Sequence, residues 1–132
     1  MTIIVADTSA FVSIFQEEAD APEMEAAIAS ATRVVIPASC IVEMALLRRI
    51  GRDFYGWAML TAATDEFEIA EITVDVATIA ASVALEYGKG SGHPARLNFG
   101  DCLVYGVAID RRLPLLFAGH DFSRTPIERV LK

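Results

Sequence analysis

The chain has 132 residues, 54% of them hydrophobic, with two cysteines and a net charge of −7. That composition suits a single domain over residues 1–132 with ample core material. It excludes a disulfide framework, leaving Cys40 and Cys102 as small buried thiols of a reducing cytoplasm, and it contains no apolar run long enough to span a membrane.

Hydrophobic periodicity gives the elements in order. Residues 2–6, "TIIVA", are a near-continuous apolar run, the pattern of a strand buried on both faces in a parallel sheet, and Asp7 follows directly. The run is broken by that acid and lacks a basic lead-in, so it is not expected to be a signal peptide. Residues 8–16 read as a helix with Ala10, Phe11, Ile14 and Phe15 on one face and Thr8 or Ser9 near its cap. Pro22 opens an Ala-rich helix over 23–31, and "RVVIP" at 33–37 is a β-branched strand stopped by its proline. The pattern predicts a helix over 39–50, beginning near Ser39 and ending at Gly51, with Glu43 interrupting an otherwise apolar surface. A further helix is expected over 52–64, an extended segment over 67–72, and a helix over 75–87 stopped by Gly88. The glycine-rich loop "GKGSGHPAR" leads to a helix over 99–111, near whose start stands Asp101. "LPLLFAG" carries a strand at 115–118 with Asp121 shortly beyond it, and "IERVL" reads as a short final strand. Strands alternating with helices imply an α/β fold with a mostly parallel sheet.

In such sheets ligands bind outside the carboxyl ends of the strands. Asp7, Asp101 and Asp121 all stand at element ends, and Glu43 lies in the first turns of its helix. Each has a plainer reading. Asp7 and Asp101 suit helix N-termini, Glu43 pairs loosely with Ser39, and Asp121 sits in a Gly-His-Asp turn. Together, acids with apolar flanks suggest one carboxylate cluster, because burying a lone carboxylate is costly unless it is paired or holds a metal. Oxygen-only donors without matching cations suit Mg²⁺ or Mn²⁺, and such an ion can activate water against a phosphodiester. It would also reconcile an acidic chain with an anionic substrate, whose phosphates otherwise call for Lys and Arg.

"VADTSAFVSIF", "PASCIVEMALL", "LNFGDCLVYGVA" and "PLLFAGHDFSRT" resemble segments of PIN-domain ribonucleases, above all the VapC toxins of VapBC toxin–antitoxin modules. The resemblance runs from Ile3 to about Thr125. It implies a three-layer α/β/α domain with a four- or five-stranded sheet, and Mg²⁺- or Mn²⁺-dependent endonucleolytic cleavage of RNA leaving a 5′-phosphate and a 3′-hydroxyl. It implies Asp7, Glu43, Asp101 and Asp121 as catalytic metal ligands, and Ser9 as a hydroxyl that supports Asp7 or touches substrate. The implied partners are RNA and a cognate antitoxin that places a basic side chain among the acids. A homodimer is expected as well, in the cytoplasm, with no membrane association. Alternatives are another Mg²⁺-dependent nuclease or phosphoesterase, and a catalytically silent PIN-like binding module.

Other residues are less decisive. Lys89 and Arg96 suit a mobile loop reaching RNA phosphates, and Arg48, Arg49 and Arg52 form a second basic group that equally reads as a solvated helix end. His93 and His120 invite a general-base reading, although water activated by a metal needs none. The loop lacks the Gly-Lys-Ser/Thr ending of a P-loop. Phe11, Phe15, Met44, Leu47, Phe54, Tyr55 and Trp57 exceed what a small core requires, so some are expected in a dimer contact or an antitoxin groove.

Overall fold

A computed structural model describes residues 2–51 and 53–132, so the Arg52 part of the second basic group lies outside the described residues. The strongly β-branched segments Ile3–Ala6 (β1) and Arg33–Pro37 (β2) pair in parallel, with Val5 opposite Val35. Phe67–Ala70 (β3) adds on the far side of β2, and Leu115–Leu116 (β4) on the far side of β1, giving an all-parallel sheet of order β3-β2-β1-β4. Crossovers in a parallel sheet need intervening elements, which here are helices. They are Thr8–Phe15 (α1), Ala21–Ser30 (α2), Ser39–Leu46 (α3), Asp53–Ala62 (α4), Val74–Tyr87 (α5) and Phe99–Arg111 (α6). The result is the expected α/β fold, four strands flanked by helices.

Ile4, Val5, Val34, Val35 and Ile36 are fully buried, which explains the unbroken apolar runs of the central strands. The aromatic surplus is mostly core rather than surface. Phe11, Met44 and Phe54 are buried, and Phe15 and Trp57 join them, with ring centroids 5.3 Å apart for Phe15 and Trp57 and also for Phe15 and Phe54. Of the set, Tyr55 alone is exposed. Large exposed apolar side chains occur instead at Val42, Leu46, Leu60, Val74, Leu85, Phe99 and Ile109.

Several elements differ from their expected bounds, most clearly the end of α3, β4 and the tail. The helix expected over 39–50 stops at Leu46, and a 3₁₀ turn over Arg48–Ile50 precedes Gly51 at φ 114°. Leu46 is exposed whereas Leu47 and Ile50 pack on the core, so tertiary burial sets this end. β4 is two residues long because the Ala118 N–H donates to Ser9 Oγ at 3.0 Å rather than to a ladder. The tail makes a single parallel bridge between Arg129 and Leu115, with the Val130 N–H donating to the Leu115 carbonyl at 3.1 Å.

α5 and α6 pack closely at Gly106, where a Cβ would stand 2.8 Å from the Val76 carbonyl oxygen. On the β3 edge, Arg111 donates to Glu68 at 2.6 Å, and Glu66 and Glu71 flank the strand.

Candidate active site

The carboxyl ends of the parallel strands set the site. β1 delivers Asp7 to the N-terminus of α1, where Asp7 Oδ2 accepts from the Ser9 N–H at 3.1 Å. Ser9 Oγ also takes the Ala118 N–H, tying the end of β4 to the same turn. Asp101 is the third residue of α6 and forms a reciprocal capping box with Asn98. The Asn98 N–H donates to Asp101 Oδ2 at 3.0 Å, and the Asp101 N–H donates to Asn98 Oδ1 at 2.8 Å. Both carboxylates therefore cap helices and still face the same cleft. Glu43 projects from α3, and its Oε1 accepts from Thr8 Oγ1 at 3.1 Å.

Asp7, Glu43, Asp101 and Asp121 line one cleft of about 610 Å³, together with Thr8, Ser9, Asn98 and Arg49. Ligand atoms of Asp7, Glu43 and Cys40 all lie within 4.8 Å of one another. Asp7 and Asp101 are buried, Glu43 is half-buried, and Asp121 is exposed at the rim. Among the described residues none of the four is ion-paired.

That arrangement raises the proton affinity of the cluster. Burial pushes Asp7 up, opposed by Ser9 and reinforced by the charge of Asp121. Burial and then the charge of Asp7 push Glu43 up. For Asp101 burial is again the largest cause; the Asn98 N–H opposes it, the charges of Asp7, Asp121 and Glu43 add to it, and the carboxyl is pushed up to about 7. Burial holds the Cys40 thiol protonated, well above its usual range. A divalent cation fits this donor set, because carboxylates held together without a counter-charge are relieved by a hard ion that takes oxygen ligands.

The PIN domain sequence profile matches residues 4–128. The chain belongs to the PIN-domain family. It is 38% identical over 134 residues to Ribonuclease VapC28 of Mycobacterium tuberculosis, covering 97% of this chain and 98% of the relative. In structure it is similar to M. tuberculosis VapC20, described as a sarcin-ricin loop cleaving toxin, with a TM-score of 0.75 and 18% identity over 94% of this chain and 95% of that one. It is also similar to VapBC2 of Rickettsia felis bound to a promoter DNA fragment, with a TM-score of 0.70 and 15% identity over 97% of this chain and 96% of that one.

Other expected site residues lie elsewhere on this PIN domain. Lys89 borders an apolar groove between α5 and α6, and Arg96 lines a separate hollow with His93 and Pro94. His93 stacks edge-on against Tyr87, and its Nδ1 accepts from the Ala95 N–H at 3.0 Å. His120 lines a hollow with Phe117 and Arg129. Arg49, which the sequence offers only as one of a basic group, is the cation that lines the acid cleft among the described residues. Thr8 and Cys40 also belong to the site. Thr8 carried a signal in "DTS", as a hydroxyl beside the strand-end acid, whereas Cys40 showed only as another apolar position of its helix.

Proposed function

We propose that this PIN-domain chain is the toxin of a toxin–antitoxin pair, a single-domain endoribonuclease that hydrolyses RNA phosphodiester bonds with Mg²⁺ or Mn²⁺. The observation that carries the reading is the convergence of Asp7, Glu43, Asp101 and Asp121 on one cleft with, among the described residues, no cation paired to them. The VapC relatives, named ribonucleases, support the RNA substrate, and the VapBC complexes among the structural relatives support an antitoxin.

In this reading Asp7, Glu43 and Asp101, with Asp121 at the rim, would hold the ion. When bound, such an ion would supply positive charge for the phosphodiester and a more nucleophilic water. Ser9 keeps Asp7 turned toward the cleft, and Thr8 orients Glu43 by its hydroxyl. Arg49 contacts a substrate phosphate beside the acids, where a planar fork suits phosphate oxygens. An antitoxin arginine entering the cleft would satisfy the same carboxylates and displace the ion. The exposed apolar residues of α3, Val42 and Leu46, offer surface for a second copy of the chain in a homodimer. Among the described residues no helix is long and apolar enough to cross a membrane.

Purified chain incubated with labelled RNA tests this. Cleavage with Mg²⁺ or Mn²⁺, lost in EDTA and giving 5′-phosphate ends, is the expected outcome. Cleavage that persists in EDTA, or that is indifferent to Asp7→Asn and Asp101→Asn, would overturn it. Co-expression with the neighbouring gene product, followed by sizing, tests the antitoxin and the dimer.

A further inference from the structure

Gly100 occupies the second position of α6, between Phe99 and Asp101. Its φ is not positive, so its backbone conformation does not require glycine. Glycine is also a poorer helix former than alanine, so helix propensity does not favour it here. The reason for glycine is spatial. A Cβ at this position would stand 2.9 Å from Glu43 Cδ and closer still to Oε2. The opposite side of the same carboxylate is held by Thr8, whose hydroxyl donates to Oε1 at 3.1 Å. α3 and α6 pack together here, so the Glu43 carboxylate stands in a slot between the Thr8 hydroxyl and the bare Cα of Gly100.

We propose that Gly100 is a positioning residue for Glu43: the missing side chain leaves the space that seats this carboxylate beside Asp7 in the acid cleft. The inference rests on the metal-nuclease reading for its functional consequence, but not for the seat itself. Because the atoms that would collide are the far end of a flexible side chain, Gly100→Ala is expected to fold. Its added methyl displaces Glu43 from Thr8 and from the metal-binding set, while α6 gains helix propensity.

The test is a double-mutant cycle on purified chain with Mn²⁺ as the probe. Gly100→Ala is expected to bind Mn²⁺ and cleave RNA more weakly by roughly tenfold or more, the range seen when a partner that orients a ligand is lost. Its thermal midpoint without metal is expected to stay level or rise. In a Glu43→Ala background the same substitution is expected to leave Mn²⁺ affinity unchanged, since no carboxylate remains to displace. Equal losses in both backgrounds, or no loss in either, would overturn the proposal. If Glu43→Ala alone binds Mn²⁺ as tightly as the unmodified chain, the assignment of Glu43 to the metal site fails. The seat is then decided by thermal unfolding without metal. Gly100→Ala should raise the midpoint more when residue 43 is alanine than when it is glutamate, and absence of that coupling would overturn the seat.

Discussion

Asp7 does two things whose energies oppose each other. As the N-cap of α1 it stabilises a helix end, and as a buried carboxylate beside Glu43 and Asp121 it carries an unfavourable charge. Asparagine caps about as well as aspartate, so Asp7→Asn retains the cap and removes the repulsion. Without metal the variant is expected to gain about 1 kcal/mol, roughly 3 °C in thermal midpoint, while RNA cleavage falls by about a hundredfold or more; calorimetry and a cleavage assay check the two arms. Asp101 sets a pH dependence of the same sign. Its folded pKa of about 7 stands above the ordinary aspartate value of 3.8, so between those values the folded chain binds more protons than the unfolded one. Stability of the metal-free chain should therefore fall as pH rises from 3.8 through about 7, by about 1–2 kcal/mol once screening through the open cleft is allowed for. Saturating Mg²⁺ should reverse the trend near neutrality, and melting curves at pH 5.5 and pH 8 with and without the ion would show it. These acids were legible in the sequence because a charge directly after or inside an apolar run has few inexpensive explanations. Cys40 and Gly100 were not, since their relevance lies in distances across α3, α1 and α6 that no local pattern encodes.

Elements meet at the site through small, specific contacts. Ser9 Oγ holds the Ala118 N–H just beyond β4, and the segment so anchored leads to Asp121. Ser9→Ala leaves that N–H without its acceptor and is expected to cost about 1–2 kcal/mol, with cleavage reduced more than the midpoint shift alone explains; denaturant unfolding and single-turnover assays separate the two. α5 and α6 depend on close approach at Gly106. Gly106→Val would press a side chain on the Val76 carbonyl and is expected to destabilise by about 2 kcal/mol or more, read from chemical denaturation. The alternation of strands and helices was legible from periodicity, and the segments up to Pro37 lie close to the expected bounds. The end of α3 was not. Leu46, Leu47 and Ile50 are equally apolar in sequence, and which of them turns inward is decided by the core they meet. The shortness of β4 was hidden for a similar reason, because the residue that takes its next N–H lies far away in the chain, on α1.

At the scale of the whole molecule, the net charge of −7 disfavours an approaching RNA, and the acids of the cleft add to this locally until a cation is bound. Raising salt should therefore weaken RNA binding less steeply than for a basic nuclease of similar size, a contrast that affinity measured across a salt series would reveal. The sheet has another consequence. β3 is an edge strand, with Ile69 exposed, and the Glu66, Glu68 and Glu71 carboxylates fringe it. Charged side chains on an edge discourage strand addition by another chain. Near the sequence pI of about 4.7 the molecule loses its net charge. Glu68 is held ionised to lower pH by its bond to Arg111. Colloidal stability should then move opposite to folding stability. Mild acid that relieves the buried carboxylates also unguards the sheet edge, so light scattering should rise toward pH 4.7 while the melting temperature is still climbing. Glu68→Gln should move the onset of turbidity to higher pH.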